Sequence, residues 1–182
     1  PVVAETVSAA GVRRMLDVGG GSGAYSIAFA RANPELHADI LDLPEVLAIA
    51  KRHISEAGLE ERIATVAGDL RKDKLGENYD LVLLSAICHM LSVDENQDLI
   101  RRCFDALAPG GRIVIQDFIL EADKTAPRTA ALFSINMLVG TRDGASYSEP
   151  EYVDWLAGAG FSDIRRVRLP GPAGLMAGVR PR

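Results

Sequence analysis

Residues 16–23 read Leu-Asp-Val-Gly-Gly-Gly-Ser-Gly, and this stretch restricts the possible folds more than any other. Residues 13–18 read as a short buried strand that four glycines within five positions, Gly19, Gly20, Gly21 and Gly23, cannot continue. Glycine accepts positive φ and lets a ligand approach the backbone where a Cβ would obstruct it. A helix pattern over residues 24–32 follows directly and ends at Asn33-Pro34. A glycine turn opening a helix points free backbone N–H groups at whatever lies above the strand. The unit predicts an α/β domain holding a nucleotide-like ligand; a tight strand–helix turn without a ligand is the alternative.

The rest of the chain repeats this alternation. Strands are expected at residues 37–41, 62–67, 79–84, 112–120, 164–169 and 175–179. Helices are expected from Pro44, where Val46, Leu47, Ala50, Ile54 and Ala57 make an apolar stripe, and from Ser92, whose pairing with Glu95 is a capping box. Further helices cover residues 128–139 and run from Ser148 to Ala157, with a polar loop at 140–147 between them. Pro109-Gly110-Gly111 reads as a turn into the fifth strand, and Pro170-Gly171-Pro172 as the bend of a terminal hairpin. The expected fold is α/β, a Rossmann-like seven-stranded sheet, mostly parallel, with a C-terminal antiparallel hairpin.

Composition narrows the function classes. With 182 residues, 48% of them hydrophobic, the chain is one ordinary domain and disorder is excluded. Lys and Arg number 20 against 25 acidic residues, a net charge of −5 without a basic stripe, which disfavours nucleic acid and anionic membrane as partners. Cys88 and Cys103 are too few for a disulfide scaffold and lack metal-ligand spacing, so no metal is expected. Residues 81–91, the longest apolar run, contain His89 and are too short to span a bilayer. No basic segment leads into an apolar core at the start, and a reduced, cytoplasmic protein is expected.

Ligand type turns on the acids. The dinucleotide pattern G-x-G-x-x-G tolerates Ala24 at its last position, so the glycines alone leave a nicotinamide cofactor possible. Asp17 aims a carboxylate into the pocket, where it repels a pyrophosphate and attracts an ammonium or sulfonium. Asp42, ending the second strand, is placed for a ribose diol. Asp69 either accepts from an exocyclic amine such as adenine's or forms its own turn.

Asp17-x-Gly19-x-Gly21-x-Gly23, Asp42-Leu43-Pro44 and Gly68-Asp69 resemble the S-adenosylmethionine motifs of class I methyltransferases. Ile87-Cys88-His89, Leu107-x-Pro109-Gly110-Gly111 and Ala157-Gly158-Ala159-Gly160-Phe161 narrow the likeness to small-molecule O-methyltransferases, the family of plant caffeate-type and bacterial polyketide-tailoring enzymes. It runs from Met15 to the end of the chain. The resemblance implies S-adenosylmethionine as methyl donor, S-adenosylhomocysteine as product, no metal, and a hydroxyl of a small aromatic natural product as acceptor. It assigns cofactor binding to Asp17, Gly19, Gly21, Gly23, Asp42, Leu43, Asp69, Leu70 and Ser85. His89 matches the catalytic base and Asp117 a position where the plant enzymes carry a glutamate. The second acid of those enzymes falls near Ser146, leaving Glu149 as a substitute or as a helix-end acid. Ser85 and Ala86 stand where the plant enzymes have lysine and tryptophan. Phe133, Asn136 and Met137 lie in the segment that lines the acceptor pocket of relatives, though Phe and Met suit a core equally. His37 and His53 read as surface residues and Trp155 as packing. Relatives dimerise through a helical N-terminal domain, so residues 1–182 are expected to be the S-adenosylmethionine-binding catalytic domain with that domain absent. Two alternatives stand: a cofactor-binding module whose chemistry is absent or diverted to hydroxylation or decarboxylation, and an NAD-dependent dehydrogenase, disfavoured by Asp17 and Gly68-Asp69.

Overall fold

The computed structural model describes residues 2–182. A short helix α1 (Val2–Val7) leads into β1 (Arg14–Val18), α2 (Ala24–Ala32), β2 (His37–Asp42), α3 (Pro44–Glu56), β3 (Ile63–Ala67) and β4 (Tyr79–Ser85). A single 3-10 turn, Cys88–Met90, joins β4 to α4 (Val93–Ala106). Then come β5 (Leu107–Asp117), α5 (Arg128–Gly140), α6 (Glu149–Gly158), β6 (Ser162–Arg168) and β7 (Gly174–Val179).

All seven strands form one sheet in the order β3-β2-β1-β4-β5-β7-β6. The first five are parallel, while β7 runs antiparallel to both β5 and β6. The expected mixed sheet is the observed one. Its centre is β4, where Leu81, Val82, Leu83 and Leu84 are all fully buried, as a strand covered on both faces must be. Leu81 and Leu83 pack with Phe29, Ile40 and Leu47 on one face, and Val82 and Leu84 with Leu99, Ile100 and Leu156 on the other. The capping box at α4 is reciprocal: Glu95 N donates to Ser92 Oγ at 3.2 Å and Ser92 N to Glu95 Oε2 at 2.8 Å.

Two details depart from the sequence reading. Helix α1 is too short for any periodicity to reveal, yet its Val3 and Ala4 join the core around Phe29. Strand β5 begins at Leu107 and ends at Asp117, where residues 112–120 were expected. The expected turn at Pro109-Gly110-Gly111 lies inside this strand as a bulge: the β4 pairing passes from Tyr79–Leu107 to Leu81–Arg112, Gly110 has φ of +84°, and Gly110 N donates to Arg180 O at 2.9 Å while Arg180 N donates to Gly111 O at 2.8 Å. The strand stops early because the Asp117 side chain accepts from the next amide, Phe118 N, at 2.8 Å.

Reversal of strand order between β1 and β4 opens a crevice above the carboxyl ends of the parallel strands, the usual ligand position in open α/β sheets.

Candidate active site

A cavity of about 550 Å³ fills that crevice. It is lined by the glycine turn, by Asp42 and Leu43 after β2, by residues 68–71 after β3, and by Ser85, Ala86 and Ile87 after β4. Tyr25 and Gln116 close the side toward β5, and Met90 brings the rim to the 3-10 turn.

The glycine turn is held from below and behind. Gly19 has φ of +68°, which L side chains rarely adopt, and a Cβ there would press on the end of the Ile87 side chain, so the position favours glycine. Gly21 has φ of +57° but faces open space. Its N–H donates to Asp42 Oδ2 at 2.8 Å, while Asp42 Oδ1 accepts from Leu43 N, also at 2.8 Å. Asp42 thus braces the turn with lone pairs left over for a ligand. His53, expected at the surface, is half-buried, with Nδ1 3.1 Å from Ser22 O. The structure does not bring Gly23 to the cavity: it sits at the start of α2 with φ of +77°, and a Cβ would lie 2.9 Å from Ile40 Cδ1. Both the positive φ and the close approach of α2 to β2 favour glycine there.

Asp17 forms the floor. It is fully buried, Ser26 Oγ donates to its Oδ2 at 2.7 Å, and its Oδ1 has no partner among the described residues. Burial raises its pKa to about 6; the nearby Asp42 charge adds to the rise and the Ser26 bonds oppose it. Asp69 lines the opposite end, where Oδ1 accepts from Arg71 N at 2.9 Å and Oδ2 lies 3.7 Å from Lys72 Nζ. Both sequence readings of Asp69, cavity residue and turn former, describe its position. Leu43 and Leu70 flank this end of the cavity.

His89 sits on the 3-10 turn, one residue before the cavity-lining Met90. Its Nδ1 is 2.8 Å from Asp117 Oδ1, and its backbone N–H donates to Asp117 Oδ2 at 3.1 Å. One buried carboxylate therefore fixes both the ring and the main chain that carries it. With Nδ1–H donated to Asp117, Nε2 is left as an acceptor. Phe133 from α5 meets the imidazole edge-on at 4.9 Å and stacks on Phe118 at 4.2 Å. The loop after α5 presses from the other side: a Cβ on Gly144 would fall 2.3 Å from His89 O.

A family model described as the O-methyltransferase domain matches residues 2–162. The chain belongs to this family. Over 180 residues it is 44% identical to a 3-hydroxy-5-methyl-1-naphthoate 3-O-methyltransferase of Streptomyces sahachiroi, a match covering 98% of the chain and 52% of that protein. An L-tyrosine C(3)-methyltransferase of Streptomyces lavendulae is 34% identical, over 92% of the chain and 46% of its own length. Human N-acetylserotonin methyltransferase, solved in complex with S-adenosylmethionine, superposes with a TM-score of 0.87 at 30% identity, covering the whole chain and 50% of that structure. The chain thus spans about half the length of the curated relatives it matches. Membership leaves the dehydrogenase alternative without support.

Within this O-methyltransferase domain, the remaining acceptor-side expectations divide. Phe133 is at His89, while Asn136 is exposed on α5 and Met137 half-buried, and neither lines the cavity. Helix α5 is apolar nearly all round, and only its Ala130 is fully buried. Leu132, Ile135, Leu138 and Val139 are exposed on it. Ser146 is buried and donates to Ala130 O at 3.1 Å. Glu149 is not a second carboxylate for His89: Arg166 Nη1 holds its Oε2 at 2.9 Å and Glu121 Oε1 at 3.1 Å. Trp155 is buried against Tyr147 and Tyr152, as expected. His37 is exposed.

Tyr25, Arg71, Met90 and Gln116 line the cavity but went unrecognised in the sequence. Gln116 carried a readable signal, a polar residue beside Asp117 after the apolar run 113–115, and alternation places the two on opposite faces. No group of three or more His, Cys, Asp or Glu side chains among the described residues is arranged to hold a metal ion. No helix among them is long and apolar enough to cross a membrane.

Proposed function

We propose that this chain is the cofactor-binding catalytic part of an S-adenosylmethionine-dependent methyltransferase acting on a hydroxyl of a small aromatic compound, with His89 as general base. The single observation that carries the reading is the His89–Asp117 pair at 2.8 Å beside the rim of the cavity, with Nε2 left as the proton acceptor.

The cavity suits the cofactor by the chemistry of its walls. Unpartnered Asp17 Oδ1 is a buried acceptor for an ammonium, Asp42 keeps lone pairs for a ribose diol, and Leu43 and Leu70 offer apolar contact to a base. Gly21 leaves the approach to the backbone open. S-adenosylmethionine, when bound, supplies an electrophilic methyl group and departs as S-adenosylhomocysteine.

The protein's part is alignment and proton transfer. A neutral phenol is a weak nucleophile, and His89 Nε2 takes its proton as the oxygen attacks. The positive charge that arises on the ring forms against the Asp117 carboxylate, which stays in place through its bonds to His89 N and Phe118 N. Asp117 is a positioning residue: it fixes tautomer and orientation. Phe133 and Phe118 offer a flat apolar surface beside the imidazole, matched to an aromatic acceptor.

The test is His89→Ala, assayed with labelled S-adenosylmethionine against a panel of naphthols and phenols. Affinity for S-adenosylhomocysteine, measured by calorimetry, should be kept, while turnover should fall about 10²–10⁴-fold. Parental turnover in the variant would overturn the base assignment. Binding without product from any acceptor would favour a module with absent or diverted chemistry, and a ring-methylated product would move the acceptor from oxygen to carbon.

A further inference from the structure

Three polar groups meet at the β5 side of the cavity. Tyr25 Oη donates to Gln116 Oε1 at 2.9 Å, and Ser85 Oγ donates to the same oxygen at 2.5 Å. The sheet register explains the meeting: Ser85 and Gln116 are cross-strand partners at the carboxyl ends of β4 and β5, on the face that α2 covers. Two hydroxyl donors on one amide oxygen set the orientation of the carboxamide. Its Nε2 is then turned away from both hydroxyls and has no protein partner among the described residues, although the residue lines the cavity.

We propose that Gln116 Nε2 binds the carboxylate of the cofactor's amino-acid end, with Tyr25 and Ser85 positioning the amide. The inference rests on the cofactor reading above and adds to it a residue that recognises one particular group. Charge distribution picks out that group. The cavity lining carries three carboxylates, Asp17, Asp42 and Asp69, and one cation, Arg71, which stands beside Asp69 at the far end. Asp17 Oδ1 is an acceptor for the ammonium. A carboxylate bonded to the same carbon as that ammonium then needs a donor near Asp17, and Asp17 lies on β1, next to β4 in the sheet. No lysine or arginine lines the Tyr25–Ser85–Gln116 end, so the oriented amide N–H is the donor available there. A neutral donor also leaves Asp17 free for the ammonium, where a lysine would compete for it.

Calorimetry with two ligands tests this: S-adenosylhomocysteine, which has the amino-acid end, and methylthioadenosine, which shares the adenosine but lacks that end. Gln116→Leu should weaken S-adenosylhomocysteine about 10- to 100-fold, the range for a hydrogen bond to a charged group, and leave methylthioadenosine within about twofold. Gln116→Glu should weaken the first ligand at least as much, by setting carboxylate against carboxylate. Tyr25→Phe, which removes only an orienting hydroxyl, should weaken it about threefold. Methylthioadenosine affinity reports at the same time that each variant keeps a folded pocket. Equal losses for both ligands, or an unchanged affinity for S-adenosylhomocysteine in Gln116→Leu, would overturn the proposal and leave the cofactor reading intact. If the parent chain bound neither ligand, both would fall.

Discussion

Replacing Asp17 by Asn exchanges a buried, half-partnered carboxylate for a neutral group of the same shape, and the structure gives the size of the effect. Burial is the largest cause of a rise from 3.8 to about 6. At 1.36 kcal/mol per tenfold change in proton affinity, that rise is about 3 kcal/mol. The folded chain binds the proton more tightly than the unfolded chain. Stability is therefore fully present below about pH 4, falls as pH rises between 3.8 and about 6, and stays low above it. D17N carries no such penalty, and its amide oxygen can still accept from Ser26 Oγ. Urea unfolding of both chains across this range should show equal stabilities near pH 4, with D17N ahead by about 3 kcal/mol near pH 7.5. At roughly 2–4 °C per kcal/mol for a chain this long, Tm at neutral pH should rise by about 6–12 °C. The same substitution should weaken S-adenosylhomocysteine, because the ammonium loses its counter-charge. Refutation would be a stability gap that does not change with pH, or a D17N chain less stable than its parent at neutral pH. Either would mean that the floor of the cavity does not hold a strained acid.

Three other substitutions probe the turn and the base. Gly19→Ala meets Ile87 Cδ1 at 2.4 Å and must hold φ at +68°, so thermal unfolding should show a loss of about 2–4 kcal/mol; Gly21→Ala, facing open space at φ +57°, should lose only about 1–2 kcal/mol. Asp117→Asn sets an amide NH2 against either the His89 backbone N–H or its Nδ1–H. It should cost about 1–3 kcal/mol in urea titration and lower turnover, while S-adenosylhomocysteine affinity, measured separately, stays within about twofold because Asp117 does not line the cavity.

How much was legible beforehand depended on whether a residue's task leaves a local mark. The turn at residues 19–23 did, since positive φ at Gly19, Gly21 and Gly23 favours glycine, although Gly23 does not line the cavity. So did β4, whose uninterrupted apolar run fits only the middle of a sheet. The ends of β5 did not: residues 107–111 join the strand because Gly110 and Gly111 pair with Arg180, about seventy residues later, and no local pattern encodes that partner. Glu149 looked available to His89 in sequence because its true partner, Arg166, arrives on β6. Helix α5 was legible as a helix, but with apolar side chains nearly all round it gave no face, and Asn136 and Met137 could not be told from Phe133.

The neighbours Gln116 and Asp117 point to opposite faces of β5, one toward the cofactor cavity and the other toward His89. Their separation is one peptide unit, about 3.8 Å between Cα atoms, and no side-chain rotation alters it. Strand β5 is paired on both edges, to β4 and to β7, so it has no freedom to slide. A single-residue deletion just before this pair would place the carboxylate in the cavity, and a single-residue insertion would place the amide behind the imidazole. Loops elsewhere in such a domain can lengthen or shorten with little consequence, but here the spacing between methyl donor and base is written into the backbone itself.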